Sequence, residues 1–67
     1  PDRLDSFYKE LCSIHKDNVP DWRFLQFMSN LFIWMMNEKK RDPFFYEDDE
    51  ALELIKEYCE FLHGDDE

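Results

Sequence analysis

The sequence predicts an all-α fold, a small three-helix bundle, and three observations carry that reading. β-branched residues are scarce: Ile14, Val19, Ile33 and Ile55 are the only four, and Thr is absent. Strands draw on β-branched and aromatic residues together, and here the aromatics, 18% of the chain, come without those companions. The single Gly, at position 64, leaves nothing for hairpin turns of the Asn-Gly kind. Three long stretches instead repeat apolar residues at three-four spacing, the signature of one helical face.

The first helix is expected over about 4–16, with Leu4, Phe7, Tyr8, Leu11 and Ile14 facing inward. Asp2 or Asp5 can cap its start. "KDNVPD" ends it, because Pro20 disfavours helical backbone at Val19. The second helix is expected over about 21–40, begun by Pro20 or Asp21. Lys39, Lys40 and Arg41 close it, where positive charge is favoured. Arg23, Gln26, Asn30 and Asn37 form its polar stripe. An apolar arc of roughly 200° lies opposite, about twice what one packing partner needs. One edge is Phe24, Phe27, Leu31 and Trp34; the other is Leu25, Met28, Phe32, Met35 and Met36. This predicts a central helix between two others, with Trp22 and Ile33 at the border of the polar stripe.

"RDPFFYEDD" then reads as an aromatic-rich connector. Asp42 before Pro43 favours an extended or turn conformation. Phe44, Phe45 and Tyr46 are expected to fold back as a lid on the core. The third helix follows over about 48–63, with Ala51, Leu52, Ile55, Tyr58, Cys59 and Leu62 inward and Gly64 as its C′ residue. One domain, 1–67, accounts for the chain. At 67 residues it buries only about 60% of what the unfolded chain exposes. Help then comes from disulfides, metal or oligomerisation, and the aromatic content compensates in part.

Charge is distributed unevenly. Residues 1–42 hold seven acids and seven bases, whereas residues 43–67 hold ten acids and one base, Lys56. The whole net charge of −9 therefore belongs to the last third. Such a chain is not expected to bind nucleic acid or an anionic membrane directly. Its expected partner is a protein with a basic surface. There is no basic segment followed by an apolar run at the N-terminus. The longest apolar block, "LFIWMM", is far short of the roughly 20 residues that span a bilayer. A cytoplasmic location is the expectation.

The run Glu47, Asp48, Asp49, Glu50 has an ordinary use at a helix start. Acids there cap free N–H groups and meet the helix dipole, at about 0.3–1 kcal/mol each. That does not explain Glu53, Glu57 and Glu60, which continue from Glu50 at three-four-three spacing along one outward face. Like charges so spaced repel, and Lys56 can relieve only Glu53 and Glu60. The face is either simply solvated or a binding surface whose cost is recovered against a partner's cations. On the second reading, Glu47, Asp48, Asp49, Glu50, Glu53, Glu57 and Glu60 are the partner-binding residues, a row of carboxylates standing in for phosphates. Arg23 is a candidate ion-pair partner for the acids of 47–50.

Cys12 and His15 are three apart on the first helix, and Cys59 and His63 four apart on the third. If those helices run the same way, both pairs fall near one end and offer four zinc-type ligands. The spacing is not a standard finger. The simpler reading makes the cysteines small apolar core residues and the histidines surface residues at helix C-termini. No metal or other cofactor is therefore assigned. A Cys12–Cys59 disulfide is disfavoured by a cytoplasmic setting. One Gly cannot build a phosphate-cradling loop. Ser6, Ser13 and Ser29 lack an adjacent base, and Cys12 with a His is a nucleophile pair on paper only. The chain is not expected to be an enzyme.

"PDWRFLQFMSNL" (20–31) and "RDPFFYEDDEALELIKEY" (41–58) resemble a family of small, acidic, uncharacterised proteins from bacteriophages and mobile elements of Gram-positive gut bacteria. Its members share a Pro-Asp-Trp-Arg-Phe segment, a spacer, then Asp-Pro-Phe-Tyr and an acidic run. The likeness covers about half the chain. The family has Gly where this chain has Leu25 and Leu where it has Phe27, which predicts a more continuous second helix here. The resemblance implies a phage-type setting, in which short acidic proteins inhibit host defence or nucleic-acid enzymes in the manner of anti-CRISPR proteins and nucleic-acid mimics. It carries over no site residues. The alternative is a homo-oligomer, a dimer or larger assembly joined through exposed Trp22, Ile33, Trp34 and Phe45.

Overall fold

The computed structural model describes residues 2–64. Pro1 and the acidic tail Asp65, Asp66 and Glu67, expected to extend the negative field, lie outside the described residues. Three α-helices and one short 3-10 turn follow in order: α1 (Asp2–Asn18), α2 (Phe24–Glu38), the turn Pro43–Phe45 and α3 (Asp48–Leu62), with no strand among the described residues.

α1 is longer than its apolar pattern, by two residues at each end. Asp2 and Asp5 lie in its first turn, where the free N–H groups favour acids. At its other end the Asn18 amide donates to the Ile14 carbonyl, 2.9 Å, and satisfies a carbonyl the helix leaves open. Ile14 is buried and Phe7 and Leu11 half-buried, but Leu4 and Tyr8, expected inward, are exposed.

α2 is shorter than expected, 24–38 rather than 21–40. Pro20 does not open it. Residues 19–22 make a separate turn, in which the Trp22 N–H donates to the Val19 carbonyl, 3.0 Å. Arg23 is then extended (φ −72°, ψ 156°), and its carbonyl receives the first helical bond, from Phe27 N–H. At the far end Lys39 N–H donates to Met35 O, 2.8 Å, and Lys40 turns left-handed at φ 57°. A non-glycine residue pays for that conformation, and the helix cannot continue through it. Lys39, Lys40 and Arg41 thus stand beyond the last turn.

α1 and α3 run parallel. Arg3 pairs with Asp48 near their starts, and Glu10 with Lys56 further along. α3, not α2, is the central element: it packs on both other helices. α2 meets α3 where Trp34 lies against Tyr58, ring centres 5.3 Å apart, and against Phe61 at 6.2 Å. α1 and α2 meet around Phe27, which has no exposed surface. The His15 ring lies 4.8 Å from it and Trp22 6.2 Å. His15 Nε2 sits 2.8 Å from the Trp22 carbonyl and ties the end of α1 to the turn before α2. The core is Ile14, Phe27, Leu31, Trp34, Met35, Ile55, Tyr58 and Cys59, with no buried charge among the described residues.

The connector is not a lid. Asp42 caps its 3-10 turn, accepting from Phe44 N–H at 2.9 Å. That geometry sends Phe44 (83% exposed) and Phe45 into solvent. Tyr46 alone turns back onto the core, with the Arg41 guanidinium over its ring at 4.4 Å. Arg41 also donates to the Phe45 carbonyl, 3.0 Å.

Candidate functional site

α3 divides cleanly. At about 100° per residue, Ala51, Ile55, Tyr58 and Leu62 share the wall turned to the other helices. Asp49, Glu50, Glu53, Glu57 and Glu60 fall within an arc of roughly 100° on the opposite wall, and all five are exposed. Glu47 and Asp48 do not join them. Glu47 is the N-cap residue, ahead of the helix. Asp48 turns toward α1, where Arg3 pairs with it. The expected partner for these acids, Arg23, has no ion pair among the described residues. Arg23 instead supplies the extended backbone of the α2 N-cap, with no side-chain cap hydrogen bond.

Two of the seven acids serve the helix start. Glu50 folds back so that Oε1 accepts from Glu47 N–H, 3.0 Å, and Asp49 Oδ1 accepts from Glu50 N–H, 2.8 Å. This supplies acceptors for donors that the first turn leaves unpaired. The chain's own lysines border the acidic arc on both sides. Lys39, just past α2, donates to Glu57 at 2.9 Å and lies over the Trp34 ring at 5.7 Å. Lys56 pairs with Glu10 of α1 at 2.9 Å and with Glu53 at 3.6 Å. The Glu57 hydrogen bond above all, and for Lys56 the Glu10 hydrogen bond, push the two ammonium groups above the ordinary lysine range. Glu60 has no cation of its own among the described residues. The face is thus a row of five carboxylates with lysines on its margins, negative in sum and anchored at Glu57 and Glu53. Exposed pairs of this kind contribute little and exchange readily with other ions.

The four candidate zinc ligands do not converge, and no group of three or more His, Cys, Asp or Glu among the described residues could hold a metal. Parallel α1 and α3 bring the two pairs toward one end, and Cys59 and His63 line one cleft, but Cys12 and His15 do not join them there. Cys12 is exposed and Cys59 buried, both with free thiols. His15 is committed to the Trp22 carbonyl. His63 borders an open cleft with Asn18, Lys56, Cys59 and Glu60, where the lysine opposes a cation. Burial pushes the Cys59 thiol above its ordinary range, the reverse of an activated nucleophile.

The largest departure from the sequence reading is apolar. Between α1, α2 and the first turns of α3 lies an open groove of about 230 Å³, lined by Tyr8, Phe24 and Phe32 and, deeper, by Leu31, Ala51 and Ile55. Ala51 and Ile55 come from the wall of α3 opposite its carboxylates. The groove and the acidic arc therefore occupy opposite sides of the molecule. Phe24, Leu25, Phe32, Ile33 and Met36 of α2 are all exposed. Of the aromatic surface expected for self-association, Ile33 and Phe45 are exposed, Trp22 is half-buried and Trp34 is buried. The signal for this face lay in α2 itself, where Glu38 is the lone charge in fifteen residues. No helix of the described residues is long and apolar enough to cross a membrane. Comparison with known protein families, curated proteins and solved structures finds no match.

Proposed function

We propose that this chain is a non-catalytic protein-binding module that presents the acidic arc of α3 to a basic surface of another protein. The observation that carries the reading is the separation of roles on α3. One wall is apolar and turned to the other helices, while Asp49, Glu50, Glu53, Glu57 and Glu60 are all exposed within one arc. Helix stability does not ask for this arrangement, since only the acids of the first turn are favoured by the helix end. A partner offering arginines and lysines would take over Glu53 and Glu57 from Lys56 and Lys39 and neutralise the repulsion along the row. The resemblance to small acidic phage proteins suggests the setting: inhibition of a host defence or nucleic-acid enzyme, anti-CRISPR-like, with the carboxylate row occupying a groove that otherwise holds phosphates.

The test begins with capture from host lysate on the immobilised chain, read by mass spectrometry. Affinity for the captured protein is then measured for Glu53→Lys/Glu57→Lys. The expected result is a loss of at least about tenfold, or about 1.4 kcal/mol, with unchanged helical circular dichroism. Binding at full strength in the double variant refutes the acidic face as the docking surface.

A further inference from the structure

The exposed face of α2 carries an inference independent of the acidic arc. Phe24, Met28, Phe32 and Met36 lie four apart along one line, with Leu25 beside them. Met28 is half-buried; the other four are exposed, Leu25 at 72%. A line of side chains at i, i+4, i+8 is the ridge that enters the groove of a second helix in the commonest helix-packing class. None of these residues, nor Ser29 among them, carries charge, and the one charge on α2 is at its far end, Glu38.

We propose that this face joins two copies of the chain in a two-fold dimer. In an isologous contact the same patch meets itself. A two-fold axis through the middle of the line brings Phe24 opposite Met36 of the second copy, and Met28 opposite Phe32. Each phenyl ring then meets a thioether, a favoured pairing, and the line is self-complementary without a change of sequence. Net charge opposes association but selects the face. Two chains of −9 repel, and the groove side is the one they can share while their carboxylate rows face outward. The size also fits. Four α2 side chains and Tyr8, each about half exposed or more, present on the order of 500 Å² of apolar surface, taking about 150–250 Å² for a large side chain. Ser29, Met28 and the groove rim bring this toward the roughly 800 Å² per partner of a stable interface. A 67-residue chain with eight buried side chains among those described is of the size at which oligomerisation supplies missing core.

The assay is light scattering coupled to size exclusion, from about 1 μM to 1 mM. The expected mass is twice the 8.3 kDa of one chain. Leu25→Glu and Phe32→Glu, each checked for unchanged helicity, are expected to give monomers. Phe24→Glu and Met36→Lys are expected to be monomeric alone and to form a dimer when mixed, because residue 24 of one copy faces residue 36 of the other. A wild-type mass of 8.3 kDa across the range overturns the proposal. So does a dimer that survives both Leu25→Glu and Phe32→Glu, or a mixture that stays monomeric. None of these variants touches the carboxylate row, so binding of a basic partner is read separately.

Discussion

Phe27→Ala is expected to unfold this protein or leave it barely folded. Phe27 has no exposed surface and sits where three segments meet: the end of α1 through His15, the 19–22 turn through Trp22, and α2 itself. The magnitude follows from its size. A fully buried aromatic removes roughly 200 Å² from water, worth about 5 kcal/mol at 25 cal/mol per Å². Measured Phe→Ala changes in cores fall at about 3–5 kcal/mol. A 67-residue domain has roughly 3–10 kcal/mol in total at the usual 0.05–0.15 kcal/mol per residue. Urea unfolding followed by circular dichroism and by tryptophan fluorescence checks this. Trp22 lies close enough to report on the same site. Phe27→Leu, which keeps most of the volume, should cost less than half as much. If Phe27→Ala shifts stability by less than about 1 kcal/mol, the His15–Phe27–Trp22 joint does not hold α1 to α2, and the packing described above is wrong at its centre.

Three further outcomes follow. Glu60→Lys relieves repulsion on α3 and puts positive charge in its last turn. It is expected to stabilise by about 0.3–1 kcal/mol, seen as a higher urea midpoint with an unchanged slope; a lower midpoint refutes the claim that the carboxylate row is a cost to folding. The thiols should separate by rate, Cys12 reacting quickly with a disulfide reagent and Cys59 only on unfolding. Burial raises Cys59, and burial, then Cys59, raises Tyr58. Groups raised in this way stabilise below their unfolded values and lose that contribution as pH rises. Stability should decline from about pH 8.5 upward, and a flat profile to pH 10.5 would contradict the burial of both.

The helices were legible because their spacing is strong and because Pro20 and Pro43 interrupt it. The bounds of α2 were less so. A proline permits a helix start but does not compel one, and here the 19–22 turn delays it to Phe24. The left-handed turn at Lys40 has no mark in composition, since such turns are normally glycine. The broad apolar arc of α2 was legible; its use was not. A stripe of Phe, Leu and Met looks alike whether another helix of the same chain covers it or water does, and here α3 took the central place. The acidic face stood out because Glu50, Glu53, Glu57 and Glu60 keep helical spacing. That Arg3, rather than Arg23, answers Asp48 depends on the register of α1 beside α3, which spacing along one strand of sequence does not encode.

Lys39 and Lys56 give the carboxylate row internal rivals. Each also works as a strap, Lys39 between the end of α2 and α3, Lys56 between α1 and α3. A cationic visitor that claims Glu57 unfastens the first strap and frees the ammonium resting over Trp34. One that claims Glu53 leaves Lys56 with Glu10 alone. Exposed pairs contribute little to either seam, so positive charge can claim the outer wall while the apolar packing beneath it stays in place.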